Sequence, residues 1–101
     1  MTRSELFRRH VAADPANPLF RFSLGQALWA EGAVAEAIEH LRLAAASKAD
    51  WMMPRILLGK SLLATGDKPA AKLVFAEALA LAVAQGYEEP EEELRAVLAT
   101  L

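Results

Sequence analysis

Apolar residues recur along this chain at the spacing of one helix face. Leu24 and Leu28 lie four positions apart, as do Leu58 and Leu62. Near the end of the chain the apolar residues stand at i, i+3, i+4 and i+7, at Leu94, Val97, Leu98 and Leu101. This spacing is typical of amphipathic α-helices. The pattern predicts an all-α fold of six helices, at 4–12, 18–31, 34–47, 53–65, 68–85 and 90–100.

Helix-terminating and helix-starting residues lie between the predicted helices. Gly32, Gly66 and Gly86 each follow a helical stretch, where glycine supplies the left-handed conformation that ends a helix. Asn17 precedes Pro18, a pairing that favours an N-cap followed by the first helical residue. The glycines therefore divide the chain into short helices joined by tight turns.

One stretch of sequence occurs twice. "LGQALWAEG" occupies 24–32, and "LGKSLLATG" occupies 58–66, an offset of 34 residues. The same offset relates further positions along each unit, and every spacing is kept. The repeated positions are Leu24, Gly25, Gly32, Ala37, Leu41 and Ala44 in the first unit, and Leu58, Gly59, Gly66, Ala71, Phe75 and Ala78 in the second. Each unit is predicted to be a helical hairpin, with a helix A, a glycine turn and a helix B.

These residues resemble the tetratricopeptide repeat (TPR), in the form of a small bacterial-type TPR protein. The resemblance implies antiparallel hairpins stacked as a short right-handed superhelix, in which Gly25 and Gly59 allow a neighbouring helix to approach closely. Two features depart from the family pattern. Arg21 and Arg55 stand where a bulky apolar residue is usual, and no proline follows the second unit, so its helix B is expected to continue to Gly86.

A chain of 101 residues has room for one domain with a modest core. The repeat divides this domain into four parts. We expect a degenerate partial repeat with Phe7 in its aromatic position, two full repeats and a C-terminal capping helix, at 1–17, 18–51, 52–85 and 86–101 respectively.

Composition and charge narrow the function. Cysteine is absent, which excludes disulfides and thiolate chemistry. No apolar run reaches the ~18 residues that a membrane span needs, and the N-terminal residues lack the apolar stretch of a signal peptide, so a soluble, cytoplasmic protein without a membrane partner is expected. Residues 1–21 carry four arginines against two carboxylates, and 86–101 carry five glutamates against one arginine. So few basic residues predict no nucleic-acid binding.

Two short motifs resemble parts of a phosphate-binding loop and of a metal site, but each has a simpler structural explanation. Gly59, Lys60 and Ser61 match the end of a phosphate-binding loop, but Pro54 stands where that loop needs its first glycine. Glu36 and His40 have the i, i+4 spacing of two metal ligands, yet two ligands make no site, and a surface pair is the simpler interpretation. The sequence therefore predicts no catalytic residue, no cofactor, no metal site and no enzymatic activity.

The TPR resemblance assigns the concave face of the stack to helix A of each repeat. Those positions are Leu19, Phe22, Gln26 and Trp29 in the first repeat and Met53, Ile56, Lys60 and Leu63 in the second. Some members of the family hold a peptide's C-terminal carboxylate with a clamp of Lys and Asn. Phe22, Gln26 and Leu57 occupy clamp positions here, so no carboxylate clamp of that type is expected.

A large apolar face is unfavourable in water, so we expect another surface to cover it. There are three candidates for this cover: the terminal helices of the chain itself, a second copy in a homodimer, or an apolar peptide or helix of a partner protein. The sequence therefore predicts a non-catalytic protein-interaction module that binds a peptide or helix in a concave groove. The alternative is a structural self-assembly unit.

Overall fold

The computed structural model describes all 101 residues, which form six α-helices joined by turns of two to four residues. The helices are α1 Arg3–Ala13, α2 Pro18–Ala30, α3 Val34–Ser47, α4 Met52–Ala64, α5 Lys68–Gln85 and α6 Glu88–Ala99. Each predicted boundary lies within two residues of the observed one. The all-α prediction is confirmed.

Local chemistry fixes the ends of the helices. The Asn17 side chain accepts a hydrogen bond from the Leu19 amide at 3.0 Å, with Pro18 as the first helical residue. The Asp67 side chain accepts one from the Ala70 amide at 3.2 Å at the start of α5. Helix α5 then continues for 18 residues until Gly86, whose φ of 74° is left-handed. The prediction that this helix runs on to Gly86 is confirmed.

Neighbours in sequence pack as neighbours in space. Helices α2 and α3 form one hairpin, α4 and α5 form the next, and α3 packs on α4 to join them. The apolar residues at the repeated positions lie in the core, and each is at most 4% exposed: Leu24, Ala37, Leu41, Ala44, Leu58, Ala71, Phe75 and Ala78. A Cβ on Gly25 would lie 2.7 Å from Leu41 Cδ2, so the close helix approach predicted at this glycine is present.

Helix α6 repeats the pattern of α2 and α4 with a different offset. Leu94 follows Leu58 by 36 residues rather than 34 and is equally buried, at 2% exposure. The change arises because α5 is four residues longer than α3 while the turn after it is two residues shorter. Helix α6 is therefore a third helix A, packed against α5.

Arg95 of α6 stands where Gly25 and Gly59 stand in the repeats. Its guanidinium is exposed and its Nε donates to Glu91 Oε2 at 3.0 Å. A helix B packed on α2 or α4 needs a glycine at this position, because any Cβ there meets the facing side chain. Arg95 therefore prevents a further hairpin from packing on α6 in the same way.

Helix α1 is attached to the first hairpin by both polar and apolar contacts. The Ser4 amide and hydroxyl donate to the Glu31 carboxylate at 3.1 and 2.6 Å. Arg8 forms an ion pair with Glu36 of α3. Val11 supplies the buried apolar contact. These contacts hold α1 against the first hairpin.

Arg21 and Arg55 explain how the fold tolerates the loss of a bulky apolar residue. Arg55 Nη1 donates to the Trp51 and Lys48 carbonyls at 2.7 and 3.1 Å, and its Nη2 donates to the Ala45 carbonyl at 3.1 Å. Arg21 Nε donates to the Pro15 carbonyl at 3.2 Å. Each arginine thus binds backbone carbonyls near the turn that precedes its own helix, where unpaired carbonyls need donors.

Candidate functional site

A trough runs along one side of α4. It consists of three adjacent cavities that share lining residues, and we name them by their walls: the α2–α4 cavity, the α4–α6 cavity and the loop cavity. Met53 lines both the loop cavity and the α2–α4 cavity, while Ile56 and Lys60 line both the α2–α4 cavity and the α4–α6 cavity. The trough is therefore one surface with α4 as its floor.

The α2–α4 cavity shares lining residues with both other cavities, and in this sense it is the centre of the trough. Its volume is about 200 Å³. Its walls bring together five of the eight residues predicted for the concave face, together with Leu57. The lining residues are Phe22, Gln26, Met53, Ile56, Leu57 and Lys60. The repeat explains this convergence, because helix A positions separated by 34 residues lie side by side on α2 and α4.

The α4–α6 cavity, about 100 Å³, continues the trough from Ile56 and Lys60 to Leu63. Its second wall comes from α6, and the buried ring of Phe75 closes it below. The α6 residues are Glu93, Leu94 and Val97. The sequence placed these three in a capping helix and not on the groove, because the change of offset to 36 conceals that α6 is a third helix A.

The loop cavity, about 420 Å³, lies beside the first residues of α4. The turn between α3 and α4 and the start of α6 form its walls, and its lining residues are Asp50, Trp51, Met52, Met53, Gln85, Tyr87 and Pro90. Trp51 packs edge-on against Phe22 with ring centroids 5.1 Å apart, and so supports the wall of the α2–α4 cavity. Sequence reasoning missed Trp51 because it lies in a turn, outside the periodic pattern.

Two of the predicted concave residues lie outside the three cavities. Leu19, at the start of α2, is 62% exposed. Trp29, near the end of α2, is half-buried and packs against the hydrophobic core. Phe22, Gln26, Met53, Ile56, Lys60 and Leu63 are the six that line the trough.

The terminal helices do not cover the α2–α4 cavity. Helix α1 packs on α2, and α6 packs on α5 and forms a side wall of the trough. Met53 remains 48% exposed. Of the three covers that the sequence left open, the chain's own terminal helices are therefore not the one adopted.

The polar groups of the trough are few. Gln26 and Lys60 are the polar residues of the α2–α4 cavity, and neither side chain forms a hydrogen bond or ion pair within the protein. Glu93 on α6 and Asp50 in the loop cavity supply carboxylates further along. The α2–α4 cavity thus has one positive charge and no negative charge among its lining residues, whereas each of the other two cavities has one carboxylate.

The candidate metal pair has another role in the structure. Glu36 Oε2 lies 3.9 Å from His40 Nε2, but Glu36 also pairs with Arg8, and His40 Nδ1 lies 3.2 Å from Arg21 Nη1. The Arg8 hydrogen bond lowers the pKa of Glu36. Burial, followed by the charge of Arg21, lowers the pKa of His40, whose side chain is 14% exposed. The predicted i, i+4 pair of Glu36 and His40 is therefore present, with the His40 side chain largely buried beside Arg21.

The structure also bears on the phosphate-binding loop, on metal ligands and on membrane-spanning helices. The Ser61 hydroxyl is buried inside α4 and donates to the Leu57 carbonyl at 2.8 Å, so the Gly59–Lys60–Ser61 stretch is ordinary helix. No three of the chain's His, Asp and Glu residues gather as metal ligands. None of the six helices combines the length and apolarity that a bilayer crossing requires.

Comparison with solved structures supports the hairpin architecture. The chain superposes on PcrH, crystallised in complex with the chaperone-binding region of PopD, with a TM-score of 0.89 over 96% of this chain and 74% of that one, at 21% identity. It also superposes on SycD, the type III secretion translocator chaperone of Yersinia enterocolitica, with a TM-score of 0.85 over 97% of this chain and 74% of that one, at 18% identity. At these identities the likeness concerns the fold.

Sequence comparison supplies the family. No protein-family model matches the chain. The TPR repeat-containing protein PA0015 of Pseudomonas aeruginosa is 32% identical over 97 residues, which cover 96% of this chain and 92% of that protein. This relation extends across both repeats and both terminal helices. The chain belongs to the family of tetratricopeptide repeat-containing proteins.

Proposed function

We propose that this protein is a non-catalytic interaction module that binds a peptide or helix of a partner protein in the trough. The observation that carries the proposal is the continuous, mostly apolar surface along α4, which the chain's own helices leave open. Apolar surface gains about 25 cal/mol for each Å² removed from water, so a bound segment would be stabilised by covering it.

The shape of the trough favours an elongated ligand. Its three cavities lie beside the stretch of α4 from Met53 to Leu63, about 15 Å at 1.5 Å per residue, with the α2–α4 cavity against α2 and the α4–α6 cavity against α6. A peptide could place successive apolar side chains in them. PcrH, which shares the fold, was crystallised with a region of another protein, and this supports a protein segment as the ligand here.

Self-assembly is the second candidate. SycD, which also shares the fold, has been crystallised in an alternative dimer. Several large apolar side chains of the present chain are exposed, among them Leu19 at 62% and Leu73 at 69%. A second copy could cover such residues, and the homodimer would then replace the partner protein.

A pair of matched variants separates these functions. Met53→Asp places a charge in the trough, whereas Leu73→Asp places one on an exposed apolar position of α5 that lines no cavity. We expect Met53→Asp to lose proteins that the wild type captures from cell extract, and Leu73→Asp to retain them. Capture that survives Met53→Asp would contradict the proposal. Sedimentation at micromolar concentrations should show monomers, whereas dimers that Met53→Asp dissociates would favour self-assembly.

A further inference from the structure

We infer that the α2–α4 cavity is a subsite for an aspartate or glutamate side chain within an otherwise apolar partner segment. The inference rests on the proposed function and specifies its ligand. It concerns Gln26 and Lys60, which face the same cavity from α2 and α4.

Two donor groups at the α2–α4 cavity are unpaired. The Lys60 ammonium and the Gln26 amide have no partner within the protein, and both residues are exposed to water at the edge of this cavity. A segment that covers the cavity removes part of this water. Loss of water around an unpaired ammonium is unfavourable, so a segment that supplies an acceptor there binds better than one that does not. A carboxylate satisfies the ammonium and accepts a second hydrogen bond from the Gln26 amide.

The charges that line the three cavities differ. Glu93 lines the α4–α6 cavity and Asp50 lines the loop cavity, whereas no acidic residue lines the α2–α4 cavity. Lys60 also lines the α4–α6 cavity, but Glu93 opposes its charge there, so the α2–α4 cavity is the one in which the Lys60 charge is unopposed. Both neighbouring cavities are mainly apolar. The complementary ligand therefore carries an acidic residue at its centre and uncharged apolar residues on each side.

The ligand carboxylate is assigned to a side chain and not to a chain terminus. The α2–α4 cavity shares Met53 with the loop cavity, and it shares Ile56 and Lys60 with the α4–α6 cavity, so it has a neighbouring cavity on two sides. A bound segment can continue in both directions from the centre. An acidic side chain inside the segment uses the whole trough, whereas a C-terminal carboxylate at Lys60 would leave one end empty.

Selection from a random dodecapeptide display library, in which the C-terminus is joined to the carrier, tests this inference. The wild type should enrich peptides with one Asp or Glu flanked by apolar residues. Lys60→Glu should instead enrich Lys or Arg at the same place. Lys72→Glu is the matched control, since Lys72 is an exposed lysine of α5 outside the trough, and it should select as the wild type does.

Synthetic peptides then measure the carboxylate directly. Changing the acidic residue of a selected peptide to its amide should weaken binding to the wild type about 10- to 100-fold, the range for a hydrogen bond to a charged group. The same change should matter little for Lys60→Met. Blocking the C-terminus as an amide should leave affinity unchanged.

The possible failures are distinct. Apolar peptides without acidic enrichment, whose binding Met53→Asp abolishes, would overturn the acidic subsite and leave the proposed function standing. Acidic enrichment that persists in Lys60→Glu, or affinity lost on C-terminal amidation, would also overturn it. If the wild type selects no peptide that depends on Met53, both the inference and the proposed function fail.

Discussion

Gly59 and Phe75 are in such close contact that a single added methyl group has no room between them. A Cβ built on Gly59 would lie 2.5 Å from Phe75 Cε1 and 2.7 Å from Cδ1. The Phe75 ring is 1% exposed and also forms the floor of the α4–α6 cavity. The packing of the second hairpin and the shape of the trough therefore depend on the same contact.

We predict that Gly59→Leu destabilises the protein, because the new side chain must displace a ring that is enclosed on all sides. Overpacking of this kind costs about 1–3 kcal/mol, a large share of the roughly 5 kcal/mol available to a small domain. Thermal melting followed by circular dichroism measures the effect. Ala76→Leu, at an exposed position of α5, is the control and should melt close to the wild type. Equal melting temperatures for the two variants would show that the contact is not tight.

Helix α6 should contribute to stability as a third helix A and not as a mobile tail. Leu94 is buried at 2% exposure within the core cluster, so Leu94→Ala should cost about 2–5 kcal/mol. Leu73→Ala removes the same atoms from a side chain that is 69% exposed and should have little effect. Urea denaturation measures both free energies of unfolding. A small loss for Leu94→Ala would mean that α6 does not stabilise the core.

Features set by local sequence could be predicted, and features set by distant helices could not. The glycine turns, the Asn17 cap and the core positions of the repeat follow from spacing and backbone preference. The contribution of α6 to the trough was missed because four extra residues in α5 shift the repeat. The contact of Trp51 with Phe22 was missed because a turn residue follows no helical period.

The polar contacts of α1 illustrate the same limit. Ser4 is 27 residues from Glu31, and Arg8 is 28 residues from Glu36. Such pairs depend on how long side chains meet after the helices have packed. Their charges alone do not select one partner among many. The burial of His40 was likewise missed, because its own helix gives no sign of its contact with Arg21, 19 residues earlier in the chain.

His40 predicts a pH dependence of stability. Burial and the nearby Arg21 lower its pKa in the folded protein, although Glu36 and Glu39 act in the opposite direction. The unfolded chain therefore takes up this proton at a higher pH than the folded protein, and stability falls as the pH drops below about 6.5.

The melting temperature should accordingly decrease between pH 7.5 and 5.5, and it should decrease less in His40→Gln, which retains an acceptor for Arg21. This range lies above the titration of Glu36, whose lowered pKa means that its contribution is lost only in more acidic solution. The same pH dependence in both proteins would exclude His40 as the cause.

We predict that Trp29 contributes to the stability of the core and not to ligand binding. It packs against buried residues and lines none of the three cavities. Trp29→Ala should therefore cost about 3 kcal/mol, at the lower end for a large aromatic residue because the ring is only half-buried. The measurement pairs a melting curve with peptide affinity at a temperature where the variant is still folded. Stability near the wild-type value together with lost affinity would instead return Trp29 to the binding surface.

A backbone amide NMR titration with a display-selected peptide tests directly whether ligands bind along α4. We predict that the largest chemical-shift changes fall on Phe22, Met53, Ile56 and Lys60, with weaker changes at Leu94 and Val97 on α6. Amides near Leu43 on α3 and Leu73 on α5 should stay unchanged, since these exposed side chains lie outside the trough. Chemical-shift changes concentrated around Leu43 and Leu73, with the α4 amides unchanged, would show that ligands do not bind along α4.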